Sequence, residues 1–390
     1  MSGQHYGRSY VCGDRAAAEG RWCCGVNVVN KSVDRPLSIL QTITQRRFSG
    51  AERVCLSLCA ALQQRGHRVL LLCKPDGGLP HEAQQRGIQV QTPAISGKLN
   101  LTAPFTIARI ARQFGADLIH THLSTASLWG GLAGRMSGIP TLGHVHALNT
   151  WFYYRFSTLA ATCSAGVKQH VVAQGADPVK VRVVYNGIPA NRLDGVLSMP
   201  EARRMLGIMP DQPVVACVAH LSPKKGQTFL LQAVALLREH FPHLVCLLAG
   251  EGEMLEALQR QSIELGIADQ VRLLGFRPDV MSVMQAADVV VLPSIAKEGL
   301  GLVLVEAALL EKPTIGSNAP GIDEAVQDGV TGLLVPPGNA EALAVQLAGL
   351  LGNTDLRRQM GQAGRERALQ MFSQQAMVDG FEALYRELTA

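Results

Sequence analysis

The chain has 390 residues, of which 47% are hydrophobic and 17% are charged, and its formal net charge is +5. This length exceeds one ordinary hydrophobic core and predicts two domains, and the composition excludes an intrinsically disordered chain. Since no apolar run approaches the roughly 18–20 residues that span a bilayer, we do not expect a transmembrane helix.

Residues 1–35 differ from everything that follows. They show neither the period of a strand nor that of a helix, and they lack the apolar core of a signal peptide. We therefore expect a disordered leader, with a small zinc motif as the alternative because Cys12, Cys23 and Cys24 lie there. Most of the nine cysteines sit in apolar patterns, which is typical of reduced core thiols and indicates a cytoplasmic protein.

From Pro36 onward, strand patterns alternate with helix patterns. In the first half they follow one another at 36–43, 51–66, 67–74, 87–93, 102–115, 116–122, 124–138 and 139–146, and the segments 161–175 and 180–187 complete it. Such alternation predicts a parallel sheet covered by helices on both faces. We predict that residues 36–187 form an N-terminal Rossmann-like domain.

A turn-rich segment, residues 188–200, interrupts the alternation and is predicted to link two domains. A second α/β alternation then fills residues 201–370, and residues 371–390 read as a terminal helix. The predicted fold class is therefore α/β, with two doubly wound Rossmann-like domains facing across a cleft. Ligands of such sheets bind at the carboxyl ends of the strands, which here would line that cleft.

The nonamer EGLGLVLVE places two carboxylates, Glu298 and Glu306, around seven residues that are all Gly, Leu or Val. Gly299 permits a tight turn after the preceding strand, and we expect a helix to begin near Leu302. Three amides would then be free donors at the start of the helix: Gly301, Leu302 and Val303. Such amides form an anion site built from backbone.

A carboxylate beside a bound diphosphate would be repelled by it, so both glutamates should address other groups. Vicinal hydroxyls suit them, because a carboxylate accepts two hydrogen bonds. A ligand with hydroxyls on each side of a diphosphate is a nucleotide sugar. In the alternative interpretation, Glu306 favours the helix N-terminus by roughly 0.3–1 kcal/mol, and Glu298 is solvated.

A second signal is the turn HLSPKKGQ, which follows the first predicted strand of the second domain. It places His220, Lys224 and Lys225 where cations can neutralise a diphosphate leaving group, although such lysines are often only surface residues. In the matching turn of the first domain, RRFSGAER, Gly50 would let the backbone approach a phosphate.

From about residue 36 to the C-terminus the chain resembles the retaining nucleotide-sugar glycosyltransferases of family 4, which have the two-domain GT-B fold. The most specific match spans residues 293–339 and contains the Glu-x7-Glu motif with its flanks. Weaker matches are SGAERV, DLIHTH, VVYNGI and LLGFRPDV. The resemblance implies that the last helix crosses back to the first domain, which would hold the acceptor.

The resemblance also implies a role for each motif residue. Glu306 would hold the ribose, Glu298 the donor sugar, and Lys225 the nucleoside diphosphate. His146 would lie near the donor sugar. Backbone positions would hold the sugar and diphosphate (Gly299, Leu300, Gly301, Leu302 and Val303) or line the base (Gly275, Phe276 and Arg277).

Two positions depart from the family pattern. His220 stands where the family has an arginine, so part of the charge compensation would be missing, pH-dependent or supplied by Lys224. Ser49 and Gly50 stand in place of a Gly-Gly pair, and the serine would restrict the approach of a phosphate.

Further histidines lie in the strand patterns of the first domain. His120 is expected to be a core histidine, whereas His122, with a core position as the alternative, and His144 are expected on the acceptor side of the cleft. No carboxylate ligand and no Asp-x-Asp motif accompany them, so we expect neither a metal site nor a cofactor. Compensation of the diphosphate charge by lysine and helix amides fits a metal-independent transferase.

The predicted function is transfer of a hexose-type sugar from a nucleotide sugar, with a UDP-sugar favoured, to a glycan or lipid-linked acceptor. The product would belong to envelope polysaccharide or lipopolysaccharide. A sugar-nucleotide epimerase of the same fold is one alternative, although it would not need the intact Glu-x7-Glu motif. A glycan phosphorylase is another, although it would need a cofactor lysine and a longer chain. A catalytically silent binding subunit is the third, supported by His220.

The charge is divided unevenly along the chain. Residues 1–190 carry a net +12, whereas residues 191–390 carry −7. The first half would therefore suit an anionic inner-membrane surface, met by Arg46, Arg47 and Phe48, and the enzyme would be cytoplasmic and peripheral there. Two independently solvated surfaces are the alternative, and no nucleic-acid partner is expected.

Overall fold

Two parallel β-sheets, one of seven strands and one of six, organise the chain. The computed structural model describes residues 35–44, 50–76, 78–95 and 97–390. Residues 1–34 of the expected leader, together with Arg46, Arg47, Phe48 and Ser49, lie outside the described residues. Among the residues described, no helix combines the length and hydrophobicity that crossing a membrane requires.

The first sheet has the strand order β3-β2-β1-β4-β5-β6-β7. Its strands are β1 (Ser38–Ile43), β2 (Arg68–Leu72), β3 (Gln89–Gln91), β4 (Leu118–His122), β5 (Thr141–Val145), β6 (Leu159–Thr162) and β7 (Val181–Val183). The helices of this half are α1 (Gly50–Gln64), α2 (Leu79–Gln85), α3 (Ala103–Phe114), α4 (Leu123–Ser137) and α5 (Ala165–Ala173). Helix α2 was not predicted, because its two turns are too short to show a helical period.

The second sheet has the order β10-β9-β8-β11-β12-β13. Its strands are β8 (Val214–Val218), β9 (Val245–Ala249), β10 (Val271–Gly275), β11 (Val289–Leu292), β12 (Thr314–Ser317) and β13 (Gly332–Val335). Its helices are α6 (Met199–Met205), α7 (Gln227–Leu237), α8 (Leu255–Glu264), α9 (Val280–Ala286), α10 (Leu302–Leu309), α11 (Ala340–Leu351) and α12 (Thr354–Met371). All its paired strands are parallel, so the predicted α/β class with two doubly wound sheets is confirmed.

Alternating residues of the central strands pack into hydrophobic clusters on opposite faces of the second sheet. In β8, Val214 and Ala216 belong to one cluster, and Val215 and Cys217 belong to the other. Because both faces are covered, the strand reads as a continuous apolar run and not as an alternating one.

The last helix, α13 (Gln374–Thr389), packs against α1 and β4 of the first half. Glu382 accepts a hydrogen bond from Arg65 at 2.8 Å and lies 3.2 Å from His67. Tyr385 is fully buried, and its hydroxyl lies 2.7 Å from His120 Nδ1. The chain thus returns from the second sheet to the first.

Candidate active site

Two loops meet at the carboxyl ends of β8 and β11, which are neighbours in the middle of the second sheet. The amide of Ile295 donates to the carbonyl of Lys224 at 2.9 Å. A Cβ atom on Gly226, whose φ is +69°, would lie 2.0 Å from the carbonyl oxygen of Pro293. Only glycine fits there, so the lysine turn is held against the loop that leads to α10. The strand order reverses at this point, which is where doubly wound sheets bind ligands.

Lys225 and Glu298 form an ion pair across these two loops. Lys225 Nζ lies 2.7 Å from Glu298 Oε1, and Ser294 Oγ donates to the same oxygen at 2.7 Å. The side chains of the pair are 25% and 21% exposed, so the pair is shielded on most sides but remains open to a ligand. The structure therefore brings together two residues that were singled out from separate motifs.

Glu306, in α10, has a protein partner that the sequence did not indicate. Arg192 Nε donates to Glu306 Oε1 at 2.8 Å. Arg192 lies in the short 3-10 helix Ala190–Leu193, inside the predicted linker. A ribose that binds Glu306 would have to share or displace this guanidinium.

Helix α10 begins at Leu302, as expected, but one of the three predicted free amides is engaged. The Gly301 amide donates to the carbonyl of Gly321 at 3.0 Å, because the loop after β12 packs against the loop before α10. The expectation of a free Gly301 donor was therefore wrong. Leu302 and Val303 are in the first turn, where amides have no intrahelical acceptor.

Gly299 makes a close contact with the first half of the chain. A Cβ atom on Gly299 would lie 2.5 Å from the carbonyl oxygen of His146 and 3.4 Å from Cys163 Sγ. Cys163 Sγ in turn donates to that carbonyl at 3.2 Å. Gly299, which is predicted to hold the donor sugar, thus lies against the end of β5. A side chain there would require the backbone of one of the two halves to shift.

A second contact between the halves is made by Glu324. Its two carboxylate oxygens accept hydrogen bonds from the amides of Ala165 and Gly166, each at 2.7 Å. These amides are in the first turn of α5, where a negative charge is favoured by the helix dipole. Sequence reasoning missed Glu324, whose only sequence signal was its place inside the family-like segment.

The other predicted donor-site residues have varied surroundings. The His220 side chain is 60% exposed and lies 3.3 Å from Glu253, and Lys224 is exposed. Gly275 ends β10, the edge strand two positions from β8, and Phe276 and Arg277 follow it. Arg277 donates to Asp279 at 2.8 Å. Gly50 is the first residue of α1, and nothing lies within 4 Å of where its Cβ would be.

Four imidazoles of the first half form one group, which we call the histidine cluster: His120, His122, His144 and His146. The first three are fully buried and His146 is 9% exposed. Since buried rings cannot touch an acceptor, the expected acceptor-side role of His122 and His144 is not compatible with direct contact. Burial lowers the pKa of all four rings, and that of His146 to about 3, so they are neutral at physiological pH.

Comparisons with known proteins decide the family. The family model for "Glycosyltransferase Family 4" matches residues 48–192, and that for "Glycosyl transferases group 1" matches residues 198–367. The D-inositol 3-phosphate glycosyltransferase of Saccharomonospora viridis is 31% identical over 310 residues, which cover 70% of each chain. The chain belongs to glycosyltransferase family 4. The resemblance noted in the motif residues is therefore confirmed.

Other relatives of this glycosyltransferase are similar over most of its length. An Escherichia coli relative, UDP-Gal:alpha-D-GlcNAc-diphosphoundecaprenol alpha-1,3-galactosyltransferase, is 24% identical over 331 residues, or 78% of this chain and 85% of that protein. The crystal structure of HepE from Anabaena, in complex with UDP and glucose, has 25% identity and a TM-score of 0.79 and covers 90% of this chain and 100% of that chain. The expected GT-B architecture is thus confirmed.

Proposed function

We propose that this glycosyltransferase moves a hexose-type sugar from a UDP-sugar to a glycan or lipid-linked acceptor, with retention of the anomeric configuration. The product would be envelope polysaccharide or lipopolysaccharide, made in the cytoplasm. The observation that carries the proposal is the ion pair of Lys225 and Glu298 at the strand ends where the order of the second sheet reverses.

Each member of this arrangement has a task suited to its chemistry. When a donor binds, Lys225 turns from Glu298 to the diphosphate, and the amides of Leu302 and Val303 share the negative charge of the leaving group. Glu298, released from the lysine, accepts hydrogen bonds from the sugar hydroxyls. Glu306 does the same for the ribose. No metal ion is needed at the diphosphate in this scheme.

Retention follows a front-face route that uses no covalent carboxylate intermediate, in contrast to a retaining glycosidase. The bond between the anomeric carbon and the β-phosphate oxygen breaks while the acceptor oxygen bonds to the same face. The departing β-phosphate takes the acceptor proton. The protein contributes orientation and stabilises the charge on the leaving group.

The relatives support the donor and acceptor classes. HepE is described in complex with UDP and glucose, and the Escherichia coli relative is named for a UDP-sugar donor and a diphosphoundecaprenol acceptor. The first half of the present chain carries a net +12 and exposes three apolar residues, Leu99, Leu101 and Phe105, which are 92%, 74% and 63% exposed. A cationic surface with exposed apolar side chains suits the membrane that holds a lipid-linked acceptor.

Thermal unfolding with UDP-, GDP- and ADP-sugars tests the donor class. A ligand at 100 times its Kd stabilises the folded protein by about 2.7 kcal/mol, so a UDP-sugar should raise Tm while the others do not. Absence of any shift would contradict a donor site. With a lipid-linked acceptor, the anomeric configuration of the product, read by NMR, tests retention, and an inverted product would contradict it.

Two further assays test catalytic activity and metal independence. Slow donor hydrolysis without acceptor is expected from an active transferase and not from a silent binding subunit. Added Mg²⁺ or Mn²⁺ should leave the transfer rate unchanged, because Lys225 and the amides supply the charge compensation. A rate that depends on either ion would contradict the metal-free diphosphate site.

A further inference from the structure

The histidine cluster arises from two neighbouring parallel strands. His120 and His122 are two residues apart on β4, and His144 and His146 are two residues apart at the end of β5. His122 lies directly opposite His144 in the register. Because side chains two apart point to the same face of a sheet, the pattern His-x-His on each strand gathers four rings on one buried face.

Some nitrogens of the cluster are held by neighbouring side chains. His122 Nε2 lies 2.8 Å from Gln41 Oε1, and His122 Nδ1 lies 2.9 Å from His146 Nε2. His120 Nδ1 lies 2.7 Å from the Tyr385 hydroxyl. These bonds fix the orientation of two rings in the way that outer partners of metal-binding histidines do.

The remaining nitrogens have no hydrogen-bond partner among the described residues. They are His120 Nε2, both nitrogens of His144, and His146 Nδ1. Leaving a buried polar atom without a partner costs about 1–3 kcal/mol. Four such atoms close together would destabilise a protein core considerably. They indicate that a polar ligand completes the group.

The spacing of the nitrogens in three of the rings suits a metal ion. His120, His122 and His144 can each offer one nitrogen, and these three atoms all lie within 4.8 Å of one another. Around a tetrahedral Zn²⁺ with Zn–N bonds of about 2.0–2.1 Å, ligand nitrogens are about 3.4 Å apart. The three rings are stacked or tilted, with centroids 4.4–5.6 Å apart, so binding requires the imidazoles to rotate until their nitrogen lone pairs converge on the ion. Among the described residues, no carboxylate belongs to this group to favour Mg²⁺ or Ca²⁺.

We propose that His120, His122 and His144 bind a transition-metal ion of the Zn²⁺ class, with the fourth ligand position open to water. His120 would bind through Nε2 and keep its Nδ1 bond to Tyr385. His122 would bind through Nδ1, exchanging its bond to His146 for the metal and keeping Gln41 on Nε2. Imidazoles alone supply the site, so it differs from the diphosphate-binding metal sites for which acidic motifs are expected.

The first experiment measures binding of Co²⁺, as a spectroscopic probe, to the metal-stripped full-length chain. One Co²⁺ per chain is expected, with d–d absorption of nitrogen and oxygen ligands and displacement by Zn²⁺. Absence of saturable binding would overturn the proposal. Intense thiolate-to-cobalt charge transfer would also overturn it, because it would assign the ion to some of the nine cysteines.

Variants then locate the ion. His144→Gln and His120→Gln should abolish saturable binding, whereas His81→Gln and His243→Gln, at exposed positions, should keep it. Tyr385→Phe removes only an outer hydroxyl and should weaken affinity about 10–100-fold. Unchanged affinity in a folded His144→Gln protein would contradict the site.

If the cluster variants fail to fold, crystals of the unmodified protein soaked in Zn²⁺ test the metal site directly. An anomalous peak within about 2.0–2.1 Å of nitrogens of His120, His122 and His144 supports the proposal. Absence of an anomalous peak at the histidine cluster would overturn the proposal. Water would then be the partner of the unpartnered nitrogens.

Discussion

Lys225 Nζ and Glu298 Oε1 are 2.7 Å apart, although the two residues are 73 positions apart in the sequence. In the proposed reaction, a bound diphosphate would compete with the Glu298 carboxylate for the lysine. The ion pair would then couple two events: movement of the cation to the leaving group, and release of the carboxylate toward the sugar. This coupling predicts specific effects of substitutions at the site.

Lys225→Ala should lower kcat by roughly 10²–10³-fold, as expected for loss of one preorganised transition-state donor. Lys224→Ala is the matched control, because that side chain is exposed and the residue contributes its backbone carbonyl to Ile295. Steady-state kinetics should show a small effect for Lys224→Ala. Small and equal losses in both variants would mean that the leaving-group site lies elsewhere.

Glu306→Ala should weaken binding of the donor while the protein remains folded, because the ribose hydroxyls lose their acceptor. Arg192→Ala breaks the same 2.8 Å ion pair but leaves the carboxylate in place. Calorimetry with UDP should therefore show a higher Kd for Glu306→Ala and a nearly unchanged Kd for Arg192→Ala. If the two variants changed Kd and Tm equally, the Arg192–Glu306 ion pair would serve only to stabilise the fold.

Gly299→Ala should disrupt the contact between the two halves, because the added Cβ would lie 2.5 Å from the His146 carbonyl oxygen. We expect transfer activity to fall at least tenfold and hydrogen exchange to rise around Cys163. Gly349→Ala, in α11, is the control, since nothing lies within 4 Å of its Cβ position. Full activity in Gly299→Ala would show that this close approach is not required.

Lys312 should make stability rise at alkaline pH. Burial lowers the pKa of this lysine from 10.5 to about 8, so the folded protein releases the proton before the unfolded chain does. The unfolded chain binds more protons between these values, and the free energy of unfolding therefore increases with pH across that window.

Lys312→Met should be more stable than the natural protein at pH 7 and should lose this increase, which we expect to be on the order of 1–3 kcal/mol. Denaturant unfolding at pH 7 and pH 10 measures the difference between the two proteins. Lys180→Met, at an exposed position, should behave like the natural protein. A Lys312→Met protein with the same pH profile as the natural one would contradict the lowered pKa.

The first half of the chain should bring the protein reversibly to anionic vesicles. Binding should weaken as salt shortens the screening length from about 10 Å at 0.1 M to about 3 Å at 1 M. When Leu99 and Leu101 are changed to Ser, the partition coefficient measured by vesicle sedimentation should fall about tenfold further. Val345→Ser is the control, because Val345 is equally apolar and 68% exposed but belongs to α11 of the second half. No sedimentation at low salt would favour a soluble acceptor.

Local patterns were enough to predict much of this molecule. The alternation of strands and helices, the start of α10 at Leu302 and the motif carboxylates could all be read from short windows, because periodicity records burial and turn residues record backbone conformation. The short helix α2 was missed for the same reason, since seven residues carry too little of a period.

The partners of the functional residues were decided only by the tertiary structure. The sequence singled out Lys225, Glu298 and Glu306 but did not indicate Arg192, and it did not show that the Gly301 amide is taken by Gly321. These contacts depend on which strands are neighbours, and strand order is a property of the whole sheet.

The histidine cluster shows the same division. The sequence displays His-x-His twice, yet only the adjacency of β4 and β5 turns two local patterns into one buried group. Periodicity places a side chain on a face of its own strand, whereas the packing of distant segments decides what it meets there. The four histidines could therefore be identified in the sequence, but their burial and their hydrogen-bond partners were determined by the fold.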